Sequence, residues 1–272
     1  MKKIILLLTF QLVLATAIFA SIDTIQVYSN SMFKNVKCVV ITPWNYTSTA
    51  TRYPVVYLLH GYSGNYGDWV NKVAGMQKLA DDNNLLIVCP DGAFSSWYFD
   101  SPADLTKRFE TNVATEIPTY IDANYRSITN RNARAITGLS MGGHGGIFLG
   151  MRHASFFGAC GSMSGALDIS HLRGYGIDKI LGDTIANAKY YNDWAVVNAI
   201  DNYTADTLAM IIDCGTEDFL IEANRKAHQK LLQRKIPHDY TERPGGHTWE
   251  YWANAVTYQM QFFRKFFNKT TR

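Results

Sequence analysis

ARAITGLSMGG, residues 133–143, is the stretch on which the fold turns. A short apolar run ends at Gly138, Ser140 sits between Gly138 and Gly142, and more glycines follow at 143, 145 and 146. The bare pattern G-x-S-x-G is weak, because average Gly and Ser usage predicts about 0.1 chance matches in a chain of this length. Its flanks carry more. The run before it has the length of a buried strand, and the residues from Met141 to His153 read as a helix. Strand, serine and helix in that order are what a nucleophile elbow requires: a tight turn lifts the hydroxyl above the sheet, and glycines let strand and helix approach. A helix starting at Met141 also directs backbone N–H groups at Ser140, which favours negative charge developing there.

Working outward, three further apolar runs resemble 133–137. They are 55–59 (VVYLL), 85–89 (LLIVC) and 208–213 (LAMIID). Runs this short and this continuous suit parallel strands buried on both faces. Residues 157–162 (FGACGS) and 238–243 (HDYTER) supply two weaker strands, and 23–28 and 36–42 read as an antiparallel pair ahead of them. Helical periodicity fills the gaps at 69–82, 105–124, 141–153, 221–234 and 249–267. The alternation predicts one α/β domain over 21–272, with a mostly parallel eight-stranded sheet flanked by helices. Residues 167–207 lack a clear strand. A structureless loop of that length is unfavourable inside a domain, so a small helical insertion is expected there.

Composition excludes several classes. The 272 residues are 47% hydrophobic and only 18% charged, which argues against disorder. The formal charge is +3, two units of it on Lys2 and Lys3, and no basic run reaches five residues, so a nucleic-acid partner is not expected. Residues 1–20 place Lys2 and Lys3 before an apolar run and then small residues up to Ala20. That is the order of a cleaved export signal, with Ala17 and Ala20 as alternative cleavage points, and it predicts a periplasmic or secreted protein without a membrane anchor. Cys89 and Cys214 each end an apolar run, which favours buried free thiols, and the four cysteines show no metal spacing; disulfides, which an exported protein could form, are the alternative. Nothing in the sequence calls for a metal or cofactor, and the oligomeric state is left open.

A serine hydroxyl needs a base, and the base an orienting carboxylate, later in the chain and at strand ends. Asp213, Glu217 and Asp218 are the acid candidates in IIDCGTEDFL. Asp218 lies in the loop past the strand and is preferred; Glu217 is its alternative, and a helix N-cap is the competing role for Asp218. Among seven histidines, His247 combines chain order with a glycine loop beyond a strand. His144 and His153 lie on the helix that follows Ser140, His60 precedes it, His171 falls in the insertion, and His228 and His238 lie in or beside elements. Two N–H donors must meet the oxyanion. Met141 supplies one, and the loop after 55–59 the other, Tyr62 before Gly61. Trp97 and Tyr98 are candidates for the pocket mouth, while Trp249 and Trp252, three apart, read as core.

The segments YLLHGYSG (57–64), PDG (90–92), FETNVATEIPTYIDANYR (109–126), GLSMGG (138–143), MSGALD (163–168), CGTEDFL (214–220) and GGHTWEYW (245–252) resemble, in this order, the esterase D-like branch of the α/β-hydrolases. That branch includes carbohydrate esterase family one (feruloyl and acetylxylan esterases), S-formylglutathione hydrolases and mycolyltransferases. The resemblance implies the α/β-hydrolase fold, a triad of Ser140, Asp218 and His247, oxyanion donors at Tyr62 and Met141, and His60 as a structural residue. It implies hydrolysis of a small-molecule or polysaccharide-linked ester, feruloyl or acetyl being the preferred acyl group. Acyl transfer of the mycolyltransferase type to a sugar hydroxyl, and carbohydrate binding or scaffolding without turnover, are the alternatives.

Overall fold

The computed structural model describes residues 21–170, 172–204 and 208–270. The expected export signal at 1–20 and His171 lie outside the described residues. Eight strands form one sheet: β1 (Ile22–Ser29), β2 (Lys34–Ile41), β3 (Val55–Leu59), β4 (Leu86–Pro90), β5 (Arg134–Gly138), β6 (Ala159–Met163), β7 (Ala209–Gly215) and β8 (Asp239–Arg243). Their spatial order is β1-β2-β4-β3-β5-β6-β7-β8. The first two strands pair antiparallel with each other, β2 meets β4 antiparallel, and every later pairing is parallel.

The central strands are continuous in apolar character because both faces are covered. On β3, Val55, Tyr57 and Leu59 enter one core and Val56 and Leu58 the other, as the two-residue repeat of a strand demands. The first core is closed by the helices Met141–Arg152, Val196–Asn202 and Ile221–Gln233, through residues such as Phe148, Ile200 and Leu231. The second is closed by Met76–Asn83 and the long C-terminal helix Trp249–Thr270, through Met76, Val256, Met260 and Phe263.

Two expected helices differ from their periodicity. The segment 69–82 divides into Asp68–Lys72 and Met76–Asn83, because Gly75 adopts φ 85° and breaks the hydrogen-bond ladder. The segment 105–124 becomes helical only at Phe109 and carries a π-helical turn over Asn112–Glu116 before Ile117–Asn124. Glu116 there accepts the Ser29 hydroxyl at 2.5 Å and the Ser31 N–H at 2.8 Å, tying this helix to the β1–β2 turn. The described residues between 167 and 204 form the expected small helical insertion, with helices Asp178–Leu181, Ala188–Asp193 and Val196–Asn202.

Candidate active site

Ser140 takes φ 55° and ψ −115°, a conformation costly for any residue with a side chain. Neighbours hold it there. Its N–H donates to Met163 O at 3.0 Å, and its own carbonyl accepts from His144 N at 3.0 Å and Ala166 N at 3.2 Å. The flanking glycines are obligatory for steric reasons. A Cβ on Gly138 would sit 2.6 Å from both Gly142 O and Leu59 O, and one on Gly142 would sit 2.5 Å from His60 O. Backbones of β5, the following helix and the β3 loop therefore touch directly, and the serine is squeezed outward.

His247, in the loop between β8 and the C-terminal helix, brings Nε2 to 2.9 Å from Ser140 Oγ. Its Nδ1 lies 2.8 Å from Asp218 Oδ2. The other Asp218 oxygen accepts the Leu220 N–H at 2.9 Å, so this carboxylate closes its own loop as well as facing the imidazole. Burial would raise the Asp218 carboxyl, but its hydrogen bonds to His247 and Leu220 outweigh that and hold it below the usual carboxylate range. The rival acids are occupied elsewhere. Glu217 is exposed and accepts the Gly245 N–H at 3.1 Å. Asp213 is buried against Arg243 and the Tyr251 hydroxyl, and burial pushes its carboxyl up.

The β3 loop closes over Ser140: a Cβ on Gly61 would lie 3.4 Å from Ser140 Cβ. The N–H groups of Tyr62 and Met141 find no backbone acceptor among the described residues. His60 is buried beneath this loop. Gly92 N–H donates to its Nε2 at 2.7 Å, which leaves the proton on Nδ1 to donate to Gly61 O at 2.8 Å. It thus joins the loops after β3 and β4.

A cavity of about 270 Å³ opens above Ser140 and His247. Trp97, Leu172, Tyr175 and Phe219 give it an aromatic and aliphatic lining, joined by Asp68, Lys72, Trp249 and Trp252. Trp97 lines it as expected, and its indole N–H donates to Tyr175 O at 3.0 Å, fastening the insertion to the rim. Tyr98 requires correction. It does not line the cavity but is fully buried, filling the space above Gly145 and donating its hydroxyl to His60 O at 2.9 Å. Adjacent residues on a turn point to different sides, and only Trp97 faces the opening.

Sequence reading missed five contributors. Phe219 and Trp252 flank the His247 ring, with centroids at 4.7 and 4.8 Å. Trp249 and Trp252 were expected in the core; the helix starting just after His247 turns both towards the cavity while Trp252 stays largely buried. Tyr175 and Leu172 come from the insertion and have no local signal. Two further histidines are engaged elsewhere: His144 is buried with Nε2 2.8 Å from Trp194 O, and His153 pairs with Glu110 at 2.9 Å. All four cysteines are buried free thiols, as expected. Among the described residues no group of three or more His, Cys, Asp or Glu side chains is arranged to hold a metal, and no helix is long and apolar enough to cross a membrane.

The chain matches the model of the family described as "Putative esterase" over residues 29–263. It is similar to an acetyl esterase from Caldicellulosiruptor saccharolyticus, 27% identical over 267 residues that cover 90% of this chain and 98% of that protein. An endo-1,4-beta-xylanase/feruloyl esterase from Xylanibacter ruminicola is 31% identical over 156 residues, 53% of this chain and 22% of its own length. The solved structure of a ferulic acid esterase superposes with a TM-score of 0.79 at 28% identity, covering 91% of this chain and 99% of the other.

Proposed function

The chain belongs to the esterase family, and from that membership we propose that it is an exported serine carboxylic-ester hydrolase working through an acyl-enzyme. The observation that carries this reading is the unbroken hydrogen-bonded path from Asp218 through His247 to Ser140, at the floor of a cavity. In the proposed reaction Ser140 Oγ attacks the ester carbonyl while His247 Nε2 takes its proton. The tetrahedral oxyanion meets the N–H groups of Tyr62 and Met141, fixed in place before the charge develops. His247 then returns the proton to the departing alkoxide, leaving an acyl group on Ser140. Water, deprotonated by the same nitrogen, releases the acid and restores the serine. Asp218 keeps the proton on Nδ1 and stabilises the imidazolium. Three side chains and water close the proton balance, so the reading calls for no cofactor.

The proposed substrates are feruloyl or acetyl esters of carbohydrates. Support comes from relatives named acetyl esterase and feruloyl esterase, and from a wall of Trp97, Tyr175 and Phe219 suited to a flat acyl group. Export is proposed from the charge and apolar order of residues 1–20, and N-terminal sequencing of the mature protein checks it. The decisive assay compares wild type and Ser140→Ala on p-nitrophenyl acetate and methyl ferulate. Full activity in the variant would sink the mechanism.

A further inference from the structure

A second pair of facing imidazoles lies away from Ser140. His228, on the helix Ile221–Gln233, and His238, one residue before β8, are both half-buried, with His228 Nδ1 2.7 Å from His238 Nε2. His238 Nδ1 lies 2.8 Å from Ile236 O and must donate its proton there, since a carbonyl can only accept. Its Nε2 therefore carries no proton and accepts the hydrogen bond from His228 Nδ1–H. The His228 ring is fixed in turn by Tyr240, stacked at 4.0 Å and 6°. Tyr240 is itself anchored by its hydroxyl on Glu242, which Arg225 also holds.

We propose that His228 and His238 form a binding site for a divalent late-transition-metal ion of the zinc class, tying the helix Ile221–Gln233 to β8. A ligating histidine usually donates its other ring N–H to a carbonyl or carboxylate, which orients the ring and raises its basicity; His238 already does this with Ile236 O. An ion ~2.1 Å from both nitrogens at the tetrahedral angle needs them about 3.4 Å apart, so the two rings must separate by about 0.7 Å from their hydrogen-bonded distance as the ion replaces the shared proton. Binding requires the His228 proton to move from Nδ1 to Nε2 through solvent. Both rings stay neutral and each presents a lone pair, and water completes the coordination. With two imidazoles and no thiolate, the donor set suits zinc, nickel or copper over magnesium or calcium. Neither histidine takes part in the proposed ester chemistry, so the site is independent of that reading.

The test titrates Zn2+ into the wild-type chain and into His228→Gln and His238→Gln, by calorimetry and thermal melting. Glutamine keeps a hydrogen-bonding group at each position. The expected result is an ion bound with micromolar affinity that raises Tm in the wild type. Each variant is expected to lose at least about tenfold in affinity, the lower bound seen when even an outer partner of a metal ligand is removed. His238→Cys, which restores a ligand, is expected to recover binding. Undiminished Zn2+ affinity in both glutamine variants, or no binding by the wild type, would overturn the proposal.

Discussion

His247 Nε2 stands 2.9 Å from Ser140 Oγ across 107 residues of chain. In the proposed mechanism the hydroxyl is worthless without its base, and the base without its nucleophile. Ser140→Ala and His247→Ala should each lower kcat by roughly 10⁴-fold or more, and the double variant should be little worse than either. Additive losses in p-nitrophenyl acetate hydrolysis would show that the two act separately.

Asp218 and Glu217 are chain neighbours with different partners. Asp218→Asn should cost about 10⁴-fold in kcat, because an amide presents the wrong partner to Nδ1–H. Glu217→Gln should stay close to wild type, its carboxylate being exposed and spent on the Gly245 N–H. Parallel kcat measurements on both variants decide the acid, and the reverse ranking would transfer the role to Glu217.

The elbow depends on missing side chains. Gly138→Ala would place a Cβ 2.6 Å from two carbonyl oxygens that belong to separate elements. Overpacking of this kind costs about 1–3 kcal/mol, and denaturant unfolding should show it together with a loss of activity. A variant with unchanged midpoint and rate would contradict the close packing.

Burial draws the His144 imidazole down to about 4 from 6.5, against the lifting effect of its bond to Trp194 O. The folded state therefore refuses a proton that the unfolded chain accepts. Its contribution to stability is complete above pH 6.5 and is lost as pH falls through about 4. The whole effect is of the order of 3 kcal/mol. His144→Phe should flatten the fall of Tm across that window, and an unaltered slope in pH-dependent melting would refute this source of acid sensitivity.

Phe219 is exposed, so its removal should spare the fold. It touches the cavity beside His247, and Phe219→Ala should raise KM for methyl ferulate by about fivefold, the value of one aromatic pairing, with kcat little altered. p-Nitrophenyl acetate, with no aromatic acyl group, should respond less. Equal effects on both esters would place the acyl group elsewhere in the cavity.

Much of this was legible in the chain. Buried strands announce themselves by continuous apolar runs, so 55–59, 133–137 and 208–213 marked the central strands to within two residues of their ends. Ser140, Asp218 and His247 were legible too, because a serine elbow, a loop acid and a loop histidine must follow strands in a fixed order. Helix interruptions were less so: Gly75 breaks one segment, yet its residue type alone does not fix its φ at 85°.

By itself, then, the sequence determined the layered α/β architecture, the elbow and the order of its partners, since periodicity, glycine placement and chain order are local properties. The tertiary structure alone decided which way neighbouring side chains face. It sent Trp97 to the cavity and Tyr98 beneath it, drew Tyr175 and Leu172 in from the insertion, and turned Trp249 and Trp252 towards His247. It also set His228 against His238. Such contacts depend on how distant elements pack, and no local pattern encodes that packing.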